Sequence, residues 1–162
     1  MFRKMRRFKQ QLSEAECIEV LKNQPRGVLS VIGDDGYPYG FPISYWFNEE
    51  DGHIYFHCAK QGHKIDSINR SDKVSFCVIG MYQNVPEKFT TYFRSVVVFG
   101  RASVVSDDKE KRRAIELLAD KYSPNEPAEK RDAEIEHEWK VLTLVRIDIE
   151  HLTGKQAIEL VK

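Results

Sequence analysis

The chain is 162 residues long, 41% hydrophobic and 11% aromatic, the size and composition of one soluble domain with its own core. Lys plus Arg and Asp plus Glu each number 25, giving zero formal charge; this excludes the basic excess of a general nucleic-acid binder and the acidic bias of a disordered chain. The longest apolar stretches, such as Val96-Val97-Val98-Phe99, fall far short of the ~20 residues of a membrane helix.

Residues 1–162 are read as a single domain. Its first nine residues hold Arg3, Lys4, Arg6, Arg7 and Lys9 without an acid, so residues 1–11 are expected to form a basic, solvated tail. No charged-then-apolar leader opens the chain, and a cytoplasmic rather than a secreted protein is expected. Ser13-x-x-Glu16 has the form of a capping box, with Leu12 and Cys17 placed as a hydrophobic staple. The helix it opens runs to about Asn23 and stops at Pro25.

From Gly27 the period changes to two: residues 27–33 form a predicted strand and Asp34-Asp35-Gly36 a hairpin turn. Beyond it Tyr37, Tyr39, Phe41, Ile43, Tyr45 and Phe47 alternate with Pro38, Gly40, Pro42, Ser44 and Trp46. One face is bulky and apolar, and the other holds only small residues until Trp46. Two prolines cannot donate to a hydrogen-bond ladder, so this strand belongs at an edge or an opening. Its small-residue face lets a flat ligand approach the backbone closely.

Residues 53–59 make a third strand, with Ile54, Phe56 and Cys58 on one face and His53, Tyr55 and His57 on the other. The helical period returns at 64–69, with Ile65 and Ile68 three apart. Residues 73–80 form a strand, and 92–105 a long β run broken at Gly100 by a bulge or bend. Asp107 caps a helix lined on one side by Ala114, Leu118 and Tyr122. A loop over 123–127, a charged helix over 128–138 and a half-buried strand over 141–150 close the chain. Six or so antiparallel strands with peripheral helices define a mainly β fold, a closed or partly closed barrel.

Cys17, Cys58 and Cys77 are an odd number at wide spacing without a C-x-x-C pair, which points to reduced, buried thiols rather than disulfides or zinc. His53, His137 and His151 show no metal-ligand spacing and read as surface residues, so no metal is expected. His57 and Cys58 are adjacent on a strand and point to opposite faces, a poor nucleophile pair. The acid-rich stretch 107–138 mixes both signs and reads as solvated helix faces.

The segment His57-Cys58-Ala59-Lys60-Gln61-Gly62-His63-Lys64 combines a strand end, a glycine and a helix start with Lys60, His63 and Lys64 clustered there. The first amides of a helix lack partners and carry partial positive charge, so with these cations they would hold a phosphate. An ordinary solvated loop is the equal alternative, since neither a Walker pattern nor G-x-G-x-x-G is present. Paired with the slot over 38–44, the anion pocket describes a mononucleotide site better than one for a sugar or peptide. The other reading of the slot is a barrel strand with awkward prolines.

Five stretches in order carry a resemblance: Arg26-Gly27-Val28-Leu29-Ser30; Gly36-Tyr37-Pro38-Tyr39 followed by Pro42; Ile54-Tyr55-Phe56-His57-Cys58-Ala59 through Gly62-His63-Lys64; Ser95-Val96-Val97-Val98-Phe99-Gly100-Arg101; and Ile149-Glu150-x-x-Thr153-Gly154-Lys155. Over 26–154 the chain resembles the pyridoxamine 5'-phosphate oxidase-related flavin-nucleotide-binding proteins, and among them the nitroimidazole-resistance, nitroreductase-like branch. The resemblance implies an FMN-binding split β-barrel, a homodimer, and FMN in clefts at the dimer interface. It places Pro42, Ile43, Ser44 and Tyr45 along the isoalloxazine and Ala59, Lys60, Gly62, His63 and Lys64 around the phosphate. Ser95 and Val96 add a further contact. His63 stands where relatives often have Arg; neutral imidazole holds a dianion less strongly than guanidinium, so weaker, pH-dependent flavin binding is expected. His57 matches the histidine beside the flavin and is the candidate catalytic residue, as proton donor or as hydrogen-bond partner of a ring edge. A histidine that only tethers the strand end is the alternative.

The expected function is that of an FMN-dependent oxidoreductase passing electrons from NAD(P)H to a small acceptor, such as a nitroaromatic or nitroimidazole. NAD(P)H would dock transiently, since no Rossmann fingerprint is present. Alternatives are a non-catalytic flavin-binding protein for storage or sensing, and a split barrel holding another cofactor such as haem or a deazaflavin. Neither a nucleic-acid nor a membrane partner is expected.

Overall fold

In a computed structural model, which describes residues 1–161, helix α1 (Glu14–Asn23) precedes strands β1 (Arg26–Ile32), β2 (Pro38–Ser44), β3 (Trp46–Asn48) and β4 (His53–Ala59). Helix α2 (His63–Arg70), strands β5 (Lys73–Val85) and β6 (Thr90–Val104), helices α3 (Asp108–Tyr122) and α4 (Ala128–Glu138), and strand β7 (Leu142–Gln156) follow. The strands form one antiparallel sheet in the order β2-β1-β5-β6-β7-β4-β3.

α1 starts at the expected capping box: the Ser13 N–H donates to Glu16 Oε2 at 2.8 Å, and the Glu16 N–H donates to Ser13 Oγ at 3.3 Å. Leu12 and Cys17, both buried, meet over Gly154 of β7, where a Cβ would stand 2.5 Å from Cys17 Sγ and 2.8 Å from Leu12 Cδ1. The staple thus packs on bare strand backbone, an approach that only glycine permits. Between β1 and β2 the chain turns through Asp35 and Gly36, both at positive φ. The Tyr37 N–H donates to Asp34 O at 3.1 Å, the type I′ arrangement whose twist matches a hairpin.

β2 lies at the sheet edge, paired with β1 alone, where its prolines interrupt no second ladder. Phe41, Ile43, Tyr45 and Phe47 are buried, and Pro38, Gly40, Pro42 and Ser44 are exposed. Only Tyr45 separates β2 from β3, so the chain steps from one edge of the sheet directly to the other. That step curls the sheet into a split β-barrel, mainly β with peripheral helices.

The barrel interior is filled by side chains such as Leu29, Phe56, Phe76, Val96, Val98 and Ile147. Each fully buried residue of this kind contributes roughly 1.5–3 kcal/mol relative to exposure. A second core, including Tyr55, Ile115, Leu118, Ile135 and Leu142, lies outside the barrel wall beneath α3 and α4. β4 serves both, because alternate side chains point to opposite faces.

Several expectations need correction. The N-terminal segment is tied down although its basic side chains are exposed: the Phe2 ring stacks on His151 at 4.6 Å, and buried Gln10 donates from Nε2 to Gln156 O at 3.0 Å. Of the cysteines only Cys17 is buried; Cys58 is half-buried and Cys77 exposed, because Cys77 stands on the outward sheet face. His53 and His151 are half-buried rather than superficial, the latter covered by Phe2. β5 continues to Val85 and β7 to Gln156. The added stretch of β5 is held by pairing with β6 and is largely exposed, so it carries no periodicity to read. The bulge at Gly100 appears as the register shift between Phe99 and Gly100.

Candidate functional site

Ser44 belongs to β2, at one edge of the sheet, and His57 to β4, next to the strand at the other edge. Pairing of β3 with β4 sets Trp46, two residues beyond Ser44, opposite Tyr55, two before His57, so the turn at Tyr45 carries the end of β2 toward the end of β4. Ser44 and His57 both line one cleft of about 740 Å³ between this wall and helices α3 and α4. Although the His57 imidazole opens into the cleft, the surrounding protein desolvates it and holds its pKa below the usual histidine value. The ring is therefore neutral near pH 7.

The last turn of α3 fixes the crossover. The Tyr45 N–H donates to Tyr122 Oη at 2.9 Å, and that hydroxyl lies within hydrogen-bond reach of the Pro25 and Tyr45 carbonyls. Lys121 Nζ donates to Gln24 O at 2.7 Å and Tyr45 O at 2.9 Å, and stands 4.1 Å above the Tyr45 ring. Burial pushes this ammonium down to about 8, since the charged form loses water that carbonyl dipoles and a ring face only partly replace. Fully buried Tyr45 donates its own hydroxyl to Leu21 O at 2.7 Å.

At the other end of β4 the chain enters α2 through Gly62, whose φ of 128° suits glycine alone. No side chain caps this helix, so the amides of its first turn lack intrahelical partners. His63 stacks on Tyr39 of β2 at 4.2 Å and 10° and lies 3.6 Å from Asp34 Oδ2. Lys64 Nζ stands 4.6 Å over the Phe41 ring. Thus His63 and Lys64 stand against the bulky side of β2, Ala59, Lys60 and Gly62 lie exposed just before them in the chain, and Lys60 is near enough to Lys111 of α3 to oppose its charge. Burial raises the Cys58 thiol pKa and Lys64 opposes it, leaving a thiol of low reactivity.

The remaining expected residues divide. Pro42 and Ser44 are exposed on the outward face of β2, whereas Ile43, Tyr45 and Val96 point into the barrel and have only backbone to offer a ligand. Ser95 faces outward on β6, in the row that runs from Ser44 through Arg26 and Ile79. It is three strands from Ser44, about 14 Å at ordinary strand spacing, so one chain does not bring the two together. Lys121, Tyr122 and the helix walls of the cleft escape sequence reasoning. The stripe of Ala114, Leu118 and Tyr122 says that α3 packs, but not against what, and the carbonyl partners from residues 24, 25 and 45 form no motif.

Among the described residues no group of three His, Cys, Asp or Glu is placed to hold a metal ion, and no helix is long and apolar enough to cross a membrane.

The architecture is that of the split-barrel proteins. The sequence profile of the pyridoxamine 5'-phosphate oxidase family matches residues 13–156, and the chain belongs to that family. A 5a,11a-dehydrotetracycline/5a,11a-dehydrooxytetracycline reductase of Streptomyces rimosus subsp. rimosus is 30% identical over 98 residues, 59% of this chain and 66% of the reductase, just under two thirds of its length. A candidate 5-nitroimidazole antibiotic resistance protein of Bacteroides thetaiotaomicron superimposes with a TM-score of 0.73 at 18% identity, covering 90% of this chain and 86% of the other. An FAD-binding protein of Mesorhizobium loti superimposes with a TM-score of 0.65 at 26% identity, covering 91% and 97%.

Proposed function

We propose that the protein is an FMN-dependent oxidoreductase that passes electrons from NAD(P)H to a small acceptor. The observation that carries this reading is that His57 and Ser44, at the small-residue end of β2, line one cleft, while the uncapped start of α2 brings His63 and Lys64 against Tyr39 and Phe41 of the same strand. These residues fit the cofactor. Pro42 and Ser44 leave the outward backbone open to a flat ring, with Ile43 and Tyr45 contributing main-chain groups. The free amides of α2 and the cations around them suit a phosphate. When bound, the flavin would supply hydride transfer. Neutral His57 would orient the acceptor by hydrogen bonding and exchange a proton with it. The identity with a named reductase and with an FAD-binding protein supports this reading. A nitroaromatic or nitroimidazole is the acceptor to test first, and the cytoplasm, where NAD(P)H is supplied, is the compartment.

The same reading includes a homodimer. Val28, Ile32, Ile79 and Phe99 are each more than two-fifths exposed on the outward side of the barrel, an apolar surface suited to a second copy. A partner's Ser95 and Val96 strand would then be available to complete the ligand's surroundings. Mass spectrometry of the small molecule released from native protein tests the cofactor, with FMN expected and absence of any flavin overturning it. Anaerobic bleaching by NADH or NADPH, then reoxidation by a nitro compound, is expected of the enzyme; a flavin that stays oxidised with both nucleotides would leave a storage protein.

A further inference from the structure

The cleft beside His57 has features that flavin binding alone does not use. Its apolar walls are Ile115, Leu118 and Ala119 of α3, Ile135 of α4 and Leu142 of β7. Its volume of about 740 Å³ falls within the roughly 300–1,000 Å³ of small-molecule sites. Ile115, Leu118, Ile135 and Leu142 are the cleft-side edge of the second core, so the cleft has an apolar floor on which a flat ring system would shed water from the face it lays down.

The rim sets the charge. Its lysine and arginine are already committed, Lys130 to Glu126 at 2.5 Å and Arg131 to Asp120 and Asp132, each at 2.9 Å. Glu134 and Glu138 add further negative charge to the lining. A carboxylate entering here would lose water and meet like charge, whereas a neutral or cationic ring would not.

We propose that this cleft binds the acceptor and selects uncharged or cationic planar polycyclic compounds over carboxylated ones of the same skeleton. The role of the bound compound rests on the function proposed above; the selectivity rests on the cleft alone.

Calorimetric titration of the full-length protein with hydroxymethyl-anthraquinone and with its carboxylate analogue, with and without FMN, tests this. The neutral probe is expected to bind at least about ten-fold more tightly. Ala119→Trp, which fills the slot, and Ser123→Trp, at its exposed mouth, are each expected to weaken it by about ten-fold or more with an unchanged circular dichroism spectrum. Should the first variant misfold, the second decides. Glu134→Gln combined with Glu138→Gln is expected to bring the two probes within about three-fold. No binding of either probe, equal binding of both, or neutral-probe binding that survives Ser123→Trp overturns the proposal. If the protein neither carries nor takes up flavin, the enzymatic reading falls instead, and the flavin-free titration still reports on the cleft.

Discussion

A histidine set against a strand wall at the side of a cleft resists protonation, because neighbouring protein displaces part of the water its charged form needs. His57 is in that position. As pH falls through the ordinary histidine value of about 6.5, the unfolded chain takes the proton before the folded one, so this residue lowers stability on the acid side and is neutral to it above. In the proposed reaction the same shift would move its titration below that value. His57→Gln is expected to retain flavin, to cut acceptor turnover by about 10²-fold, and to remove the acid limb of the pH–rate profile, all read by steady-state kinetics. Lys121 obeys the same sign at higher pH. Its folded pKa of about 8 lies below the ~10.4 of an unfolded lysine, so its contribution is full above the latter and lost as pH falls through the former. Urea midpoints are expected to rise between about pH 8 and pH 10, and Lys121→Met to flatten that slope. A midpoint that follows the wild type would remove the desolvated amine from the account.

Two helices do more than cover the barrel. The end of α3 holds Tyr45 by its N–H and by its carbonyl, so Tyr122→Phe leaves a backbone donor without its partner. The expected cost is about 1–3 kcal/mol in chemical denaturation, accompanied by weaker flavin uptake because Ser44 adjoins the loosened residue. α1 depends on β7 in the opposite sense, through an absent side chain. Gly154→Ala forces a methyl into Leu12 and Cys17 and is expected to cost about 1–3 kcal/mol, read from the urea midpoint. What the sequence made legible at this scale follows from local rules: Ser13 and Glu16 cap their own helix, and the alternation from Tyr39 to Phe47 is enforced by a barrel with one wet side. The Tyr45 break between β2 and β3, the outer part of the β5–β6 hairpin and the α3–α4 cleft were not legible. Each is decided by partners distant in sequence, and the cleft walls come from three separate elements that look like ordinary core residues.

For the molecule as a whole, the outward sheet face, with Val28, Ile32, Ile79 and Phe99 exposed, is the surface on which assembly with a second copy would rest. Apolar side chains standing over neighbouring strands are normally covered when they form a continuous patch. Ile79 lies within this face, 62% exposed. If the proposed homodimer forms through this face, Ile79→Asp is expected to shift it to monomer in sedimentation velocity without altering its secondary structure, and to weaken retention of the proposed flavin. A variant that still sediments as a dimer would put the partner on another surface.

One consequence of the single-residue step at Tyr45 concerns how the cylinder is hooped. No ladder joins β2 to β3, so covalent backbone, rather than inter-strand pairing, bears the tension at that point of the circumference. A proteolytic nick there would let the two rims drift apart and part His63 and Lys64 from Tyr39 and Phe41. A nick at the Pro86–Lys88 tip would leave the ring intact.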